Sequence, residues 1–166
     1  CVASRNAVAT AEGAVAEALL DACVSIHGSC CLVVGYGRCG AVLADKLVAL
    51  NADVTVMERK ADKRVKAQGF GCRVTDFSVE EERMRSFDFI FNTVPAMVLD
   101  ASKLCMVQHD VRIVDIASRP GGVDFEYCQK NAIHAKLCLG LPGKYAPKSA
   151  AGILVEVIEK TFPGEG

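Results

Sequence analysis

Apolar positions along this chain change period repeatedly, from helical to strand-like and back. Ala7, Ala11, Ala14, Val15, Ala18, Leu19, Ala22 and Ile26 recur at helical spacing, which predicts one helix over residues 2–27 with Gly28 as its stop. Cys30 to Val34 is a short unbroken apolar run, the mark of a buried strand. Val42, Leu43, Leu47, Val48 and Leu50 then return to the helical period. Further on, the pattern predicts strands over 53–58, 71–74, 87–93, 111–116 and 132–138. Between them it predicts helices over 61–68, 79–84, 96–105 and 124–131. A final helix is expected over 148–162, with Ile153, Leu154, Val157 and Ile158 inward. Residues 117–122 and 140–147 are rich in Pro and Gly and read as irregular loops. Strands that alternate with helices imply a parallel sheet with crossover connections.

The first strand runs directly into Gly35-Tyr36-Gly37-Arg38-Cys39-Gly40, and a helix begins at once. In a strand–turn–helix setting these glycines have separate tasks. The first permits the turn, the second lets backbone approach a pyrophosphate, and the third lets the helix pack closely. The phosphates would sit on free N–H groups at the helix N-terminus. Gly35, Gly37, Arg38, Cys39 and Gly40 are therefore candidate dinucleotide contacts. Glu58 closes the second strand, where a carboxylate can bond ribose hydroxyls. Arg59 and Lys60 follow and could accommodate a 2′-phosphate; alternatively they are solvated surface. NAD and NADP both remain open as cofactors. Six strands with this motif at the first turn predict a Rossmann-type α/β fold, doubly wound in the order 3-2-1-4-5-6. Residues 1–28 read as a leading interdomain helix and 29–166 as the nucleotide-binding domain. The chain starts at Cys1 rather than Met, and a helix of this kind commonly crosses between domains, so an N-terminal substrate domain is expected in a longer protein.

Composition narrows the class. A chain of 166 residues can bury a real core. A net charge of −1 carries no nucleic-acid signature. Apolar runs fall short of the roughly 18 residues of a membrane span, and no secretory signal is visible. Nine cysteines occur without a CxxC pair, and His27, His109 and His134 lie at no useful spacing. The cysteines read as small hydrophobes in a reducing cytoplasm, and no metal site is expected.

In this fold ligands bind outside the carboxyl ends of the strands, where strand order reverses. Four loops converge there: 35–40, 92–95, 117–122 and 141–149. Asn92, Thr93, Val94, Pro95 and Ser118 are candidate contacts to the nicotinamide end. Asp115 reads as a strand-end residue that bonds backbone. Asn92-Thr93-Val94-Pro95-Ala96, Asp115-Ile116-Ala117-Ser118-Arg119-Pro120-Gly121-Gly122-Val123-Asp124-Phe125 and Gly140-Leu141-Pro142-Gly143-Lys144-Tyr145-Ala146-Pro147-Lys148-Ser149-Ala150 resemble the signatures of the dipicolinate synthase family, in its nucleotide-binding subunit. Thr10-Ala11-Glu12-Gly13-Ala14 resembles that family too. The likeness covers nearly the whole chain and corresponds to that family's C-terminal half. More distantly, the loops are similar to those of D-2-hydroxyacid and methylenetetrahydrofolate dehydrogenases.

The resemblance implies an NAD(P)-dependent oxidoreductase that forms dipicolinate from dihydrodipicolinate during sporulation. It also implies, as partner, the flavoprotein subunit of the same synthase. A homo-oligomer formed through the full-length protein is expected. Residue chemistry is compatible with a small dicarboxylate substrate: Arg119 can grip a carboxylate with two prongs, and Lys144 and Lys148 are point charges. Arg119 and Lys148 are accordingly the candidate catalytic residues. In D-2-hydroxyacid dehydrogenases a catalytic His follows the Pro that resembles Pro142; here Gly143 stands there. That departure leaves the general base unassigned. Two alternatives are a nucleotide-responsive regulatory module, or another two-domain dehydrogenase of hydroxyacid or methylenetetrahydrofolate type.

Overall fold

In the computed structural model, residues 2–20 and 22–152 are described. The chain runs α1 (Val2–Leu19), β1 (Cys30–Val34), α2 (Arg38–Ala49), β2 (Asp53–Met57), α3 (Ala61–Gly69), β3 (Arg73–Thr75) and α4 (Glu81–Arg85). It continues β4 (Phe89–Asn92), α5 (Ala101–Leu104), β5 (Arg112–Asp115), α6 (Phe125–Lys130), β6 (His134–Leu137) and α7 (Leu141–Tyr145). The six strands form one sheet in the order β3-β2-β1-β4-β5-β6, as the alternation predicts. Every neighbouring pair is parallel. Val34 sits opposite both Met57 and Asn92, and Asn92 opposite Asp115, so the central strands end level with one another.

Side chains alternate between two cores. Cys31, Val33, Phe89 and Phe91 face α1, α2 and α7, where Ala11, Ala14, Leu43, Leu47 and Leu141 meet them. Leu32, Val34 and Ile90 face the other side, against Met84, Leu99, Leu104 and Cys128. Both faces are covered, which is why the strands read as unbroken apolar runs. Burial pushes the Cys31 thiol up to about 12 and the Cys128 thiol to about 11, so neither is a thiolate at neutral pH.

Several element boundaries differ from the periodic reading. The first helix stops at Leu19, not near residue 27. Beyond it the chain has to turn back into β1. Ser29 bonds the Ile26 carbonyl through both its N–H and its hydroxyl, and Gly28, at φ +75°, donates to Asn51. Ile26 still packs in the core from this turn, which sustains the helical spacing without a helix. The helix expected over 96–105 shrinks to Ala101–Leu104. The N–H groups of Val98 and Leu99 bond the Gly122 carbonyl instead, and Asp100 caps the short helix. Residues 141–145, expected as loop, make a helical turn, because Gly140 turns left-handed before it and Pro142 suits its first turn. Helical structure resumes over 147–152; Ile153, Leu154, Val157 and Ile158 lie outside the described residues.

α7 is held against α1 by one buried carboxylate. Glu17, only 5% exposed, accepts from the ammonium of Lys144, from the Tyr145 hydroxyl at 2.8 Å and from Lys136 of β6 at 3.4 Å. Gly13, one turn earlier, leaves room for this approach: a Cβ there would lie 2.9 Å from the Leu141 Cβ. Lys144 is thus committed to an internal pair, and its reading as a free point charge for a substrate carboxylate is corrected. The Lys144 bond, against the opposing effect of burial, holds the Glu17 carboxyl below the usual carboxylate range. A depressed folded pKa contributes stability above the unfolded value that is lost as pH falls through the folded one. Glu17→Ala should cost about 1–3 kcal/mol at pH 7, the worth of hydrogen bonds to a charged group, since the lysines left behind are solvated. The gap between wild type and Glu17→Gln should close as acid titrates the group. Urea unfolding from pH 7 to pH 3 measures both; a gap independent of pH would contradict the assignment.

Candidate functional site

The three glycines of the first turn are required for different reasons. Gly35 has φ +89°, and a Cβ there would strike Thr93 Oγ1 and Val94 Cγ2, each at 2.7 Å. A Cβ on Gly40 would lie 2.1 Å from the Gly35 carbonyl oxygen. Those two positions are glycine because the protein itself comes too close. Gly37 is different. Its φ is −82°, which any residue adopts, and a Cβ there would meet nothing within 4 Å. Nothing inside the described chain calls for glycine at 37, whereas a ligand lying on the turn would. Gly37 also caps α2 without a side-chain bond, and the first helical bond is Ala41 to Gly37. Arg38 is exposed and Cys39 half-buried beside it, and burial raises the Cys39 thiol.

Tyr36, between the first two glycines, is buried in the core beside α1 and α2. Its N–H donates to Glu58 Oε2 at 2.9 Å. Glu58 Oε1 accepts the Lys60 N–H at 3.0 Å, and the Lys63 ammonium lies 3.5 Å from Oε2. Burial would raise the pKa of this carboxyl, but those N–H groups and Lys63 together outweigh it and hold the group below the carboxylate range. Glu58 therefore ties the β2 end to the glycine turn, besides facing the cleft.

That cleft, of about 500 Å³, is lined by Gly35, Glu58, Arg59, Arg64, Asp76 and Phe77, with Val94, Ala96 and Val98. Arg64 is a site residue that the sequence reading misses. It lies on α3, one helical turn beyond Lys60, and that spacing is the signal that could have found it. One guanidinium nitrogen donates to the carbonyls of Glu58 at 2.8 Å and Arg59 at 2.7 Å, so the side chain is pinned at the cleft wall. Arg59 and Lys60 have exposed side chains.

The other half of the site is knit by polar side chains beneath it. Asn92 and Asp115 are both 0% exposed. Asp115 accepts from Asn92 Nδ2 at 2.8 Å, Ala117 N–H at 2.9 Å and Gly122 N–H at 2.7 Å. Asn92 also bonds both backbone groups of Val94. Its amide is fully used, so Asn92 shapes the loop rather than presenting a group to the cleft. Thr93 Oγ1 is likewise given to the Val34 carbonyl at 2.9 Å. Pro95, Ser118 and Arg119 are exposed at the rim, and Val94 is half-buried. Lys148 is exposed on the 147–152 turns. Three of the four expected loops are thus joined directly; the 141–149 segment is anchored to α1 through Glu17. Among the described residues no group of His, Cys, Asp or Glu could hold a metal ion, and no helix is long and apolar enough to cross a membrane.

A family profile described as the D-isomer specific 2-hydroxyacid dehydrogenase NAD binding domain matches residues 4–126. The chain belongs to this family. It is 37% identical over 161 residues to a dipicolinate synthase subunit of Bacillus subtilis, covering 96% of this chain and 54% of that protein. The crystal structure of the corresponding dipicolinate synthase subunit from Bacillus halodurans superposes with a TM-score of 0.93 at 38% identity, over 96% of this chain and 55% of that one. A transhydrogenase from Sinorhizobium meliloti, 15% identical, has a TM-score of 0.77 over 97% of this chain and 56% of that one, a likeness of fold alone. The chain spans about half the length of the relatives it matches. It therefore carries a dehydrogenase-type, NAD(P)-binding domain similar to that of the dipicolinate synthase relatives.

The contrast among the glycines is testable. Gly37→Val should abolish NAD and NADP binding in calorimetric titration while leaving thermal unfolding unchanged. Gly40→Val should lower stability by about 3 kcal/mol or more, since backbone must move. Unchanged affinity in Gly37→Val would remove this turn from the site.

Proposed function

We propose that this chain is the cofactor-binding part of an NADP-dependent oxidoreductase of the dipicolinate synthase type, converting dihydrodipicolinate to dipicolinate. The observation that carries this reading is the open glycine turn at Gly37, set at an uncapped helix N-terminus beside Glu58. A bound NAD(P) supplies a hydride acceptor. The residues of this chain bind and orient it. The α2 N-terminus receives the pyrophosphate, and Glu58 Oε1 keeps acceptor capacity for a ribose hydroxyl. Arg59 and pinned Arg64 offer two guanidiniums where a 2′-phosphate would lie, which favours NADP. On the nicotinamide side, Ser118 and Arg119 stand on a loop whose base is fixed by Asp115. The Arg119 fork suits a planar carboxylate; Lys148 supplies a second positive charge. A substrate domain, a flavoprotein partner, a homo-oligomeric assembly and a cytoplasmic site of action belong to the same proposal, supported by the similarity to a protein whose name makes it one component of a larger enzyme.

Arg59→Ala should weaken NADP more than NAD, by about 1–3 kcal/mol for a charged hydrogen bond. Equal losses for the two cofactors in parallel titrations would count against the 2′-phosphate assignment. Residues 1–166 should bind cofactor yet not oxidise dihydrodipicolinate, because the reacting carbon needs a second wall. In a chain of the relatives' length, Arg119→Lys should lower kcat although the charge is kept. Steady-state rates decide this: turnover by residues 1–166 alone would move the active site, and an unaffected Arg119→Lys enzyme would clear Arg119 of a role.

A further inference from the structure

The sheet order sets three strand ends side by side along the cleft. β1 ends in the glycine turn, β2 in Glu58 and β3 in Asp76. Neighbouring strands lie about 4.8 Å apart. A dinucleotide with its pyrophosphate on the glycine turn and its ribose at Glu58 must place its base one strand further out, at the end of β3. This step rests on the cofactor reading above. Asp76 and Phe77 line the cleft there, with Val94, Ala96 and Val98 also on its wall. Apolar walls suit the faces of a purine, and a carboxylate suits a donor on its edge. Asp76 Oδ1 is spent, since it accepts the Ser78 N–H at 2.9 Å and the Ser78 hydroxyl. Oδ2 takes no hydrogen bond from the described residues. The Ser78 hydroxyl, then its N–H, hold this carboxyl below the ordinary aspartate range, so at neutral pH it only accepts.

We propose that Asp76 Oδ2 accepts the exocyclic amine of adenine and so makes the site selective for adenine over a purine bearing a carbonyl at that position. A carbonyl oxygen set against a carboxylate has no proton to share, and the two repel. The test compares NADP with nicotinamide hypoxanthine dinucleotide phosphate, in which a carbonyl replaces that amine and the adjacent ring nitrogen gains a proton. Wild type should bind the adenine form about tenfold more tightly, the effect of one unpaired polar contact at a partly open site. Asp76→Asn is the informative variant. Its Oδ1 can still accept from Ser78, while an NH₂ replaces Oδ2 and can donate to the carbonyl. The preference should then level or reverse, and Asp76→Ala should bind both forms alike. Equal affinity of wild type for the two forms would overturn the role of Asp76 and leave the cofactor reading standing. So would an Asn variant that keeps the adenine preference. Failure of wild type to bind either form would overturn both.

Discussion

A carboxylate with no access to water must be met by donors from the chain, and Asp115 is met only when the β4 end and both ends of the 117–122 loop arrive together. It collects N–H groups from the end of β4, from its own strand end and from the turn at Gly122. Leaving any of these unpaired in the interior would cost about 1–3 kcal/mol, so the arrangement is close to all-or-none. Glu58 repeats the device on the far side of β4 and β1, drawing Tyr36 of the glycine turn to the end of β2. Glu17 repeats it on the flank, joining α1, β6 and α7. Three acidic residues in an apolar framework thus fix where the loops of the site can go. The exposed side chains of Arg59, Ser118 and Arg119 are carried on loops rooted in these contacts.

Much of this was legible in the residues. The strand order follows from alternation of buried runs with helices and from the turn at Gly35, because parallel neighbours need crossovers and the first crossover here opens on a glycine turn at a helix N-terminus. Pattern reading failed where groups outside the helix competed for its backbone bonds. Ser29 takes the Ile26 carbonyl and Gly122 takes the N–H groups of Val98 and Leu99, so helical spacing persists there without helices. It also failed where Pro and Gly open a turn of helix rather than end one, at Gly140 and Pro142. In the site, glycine spacing marked the turn, but only the structure distinguishes Gly37, open to its surroundings, from Gly40, closed by protein. Asn92 shows the converse: a polar residue at a strand end reads as a ligand contact, and burial turns it into scaffold. Glu17 carried a faint signal, an acid between Ala14 and Ala18 on the buried side of a helix.

The match to the 2-hydroxyacid dehydrogenase NAD binding domain covers residues 4–126, and Gly143 lies beyond it. Gly143 stands on a helical turn whose next residue, Lys144, is bound to Glu17. A base at this corner would need a side chain that the turn does not carry.

The interlock of the glycine turn with the β4 loop has a thermodynamic consequence. Gly35 lies so near Thr93 and Val94 that neither segment can shift without the other, and Tyr36 is anchored in the core. The turn is braced on both sides by the protein itself. A ligand seated on so braced a turn would spend little free energy on ordering backbone.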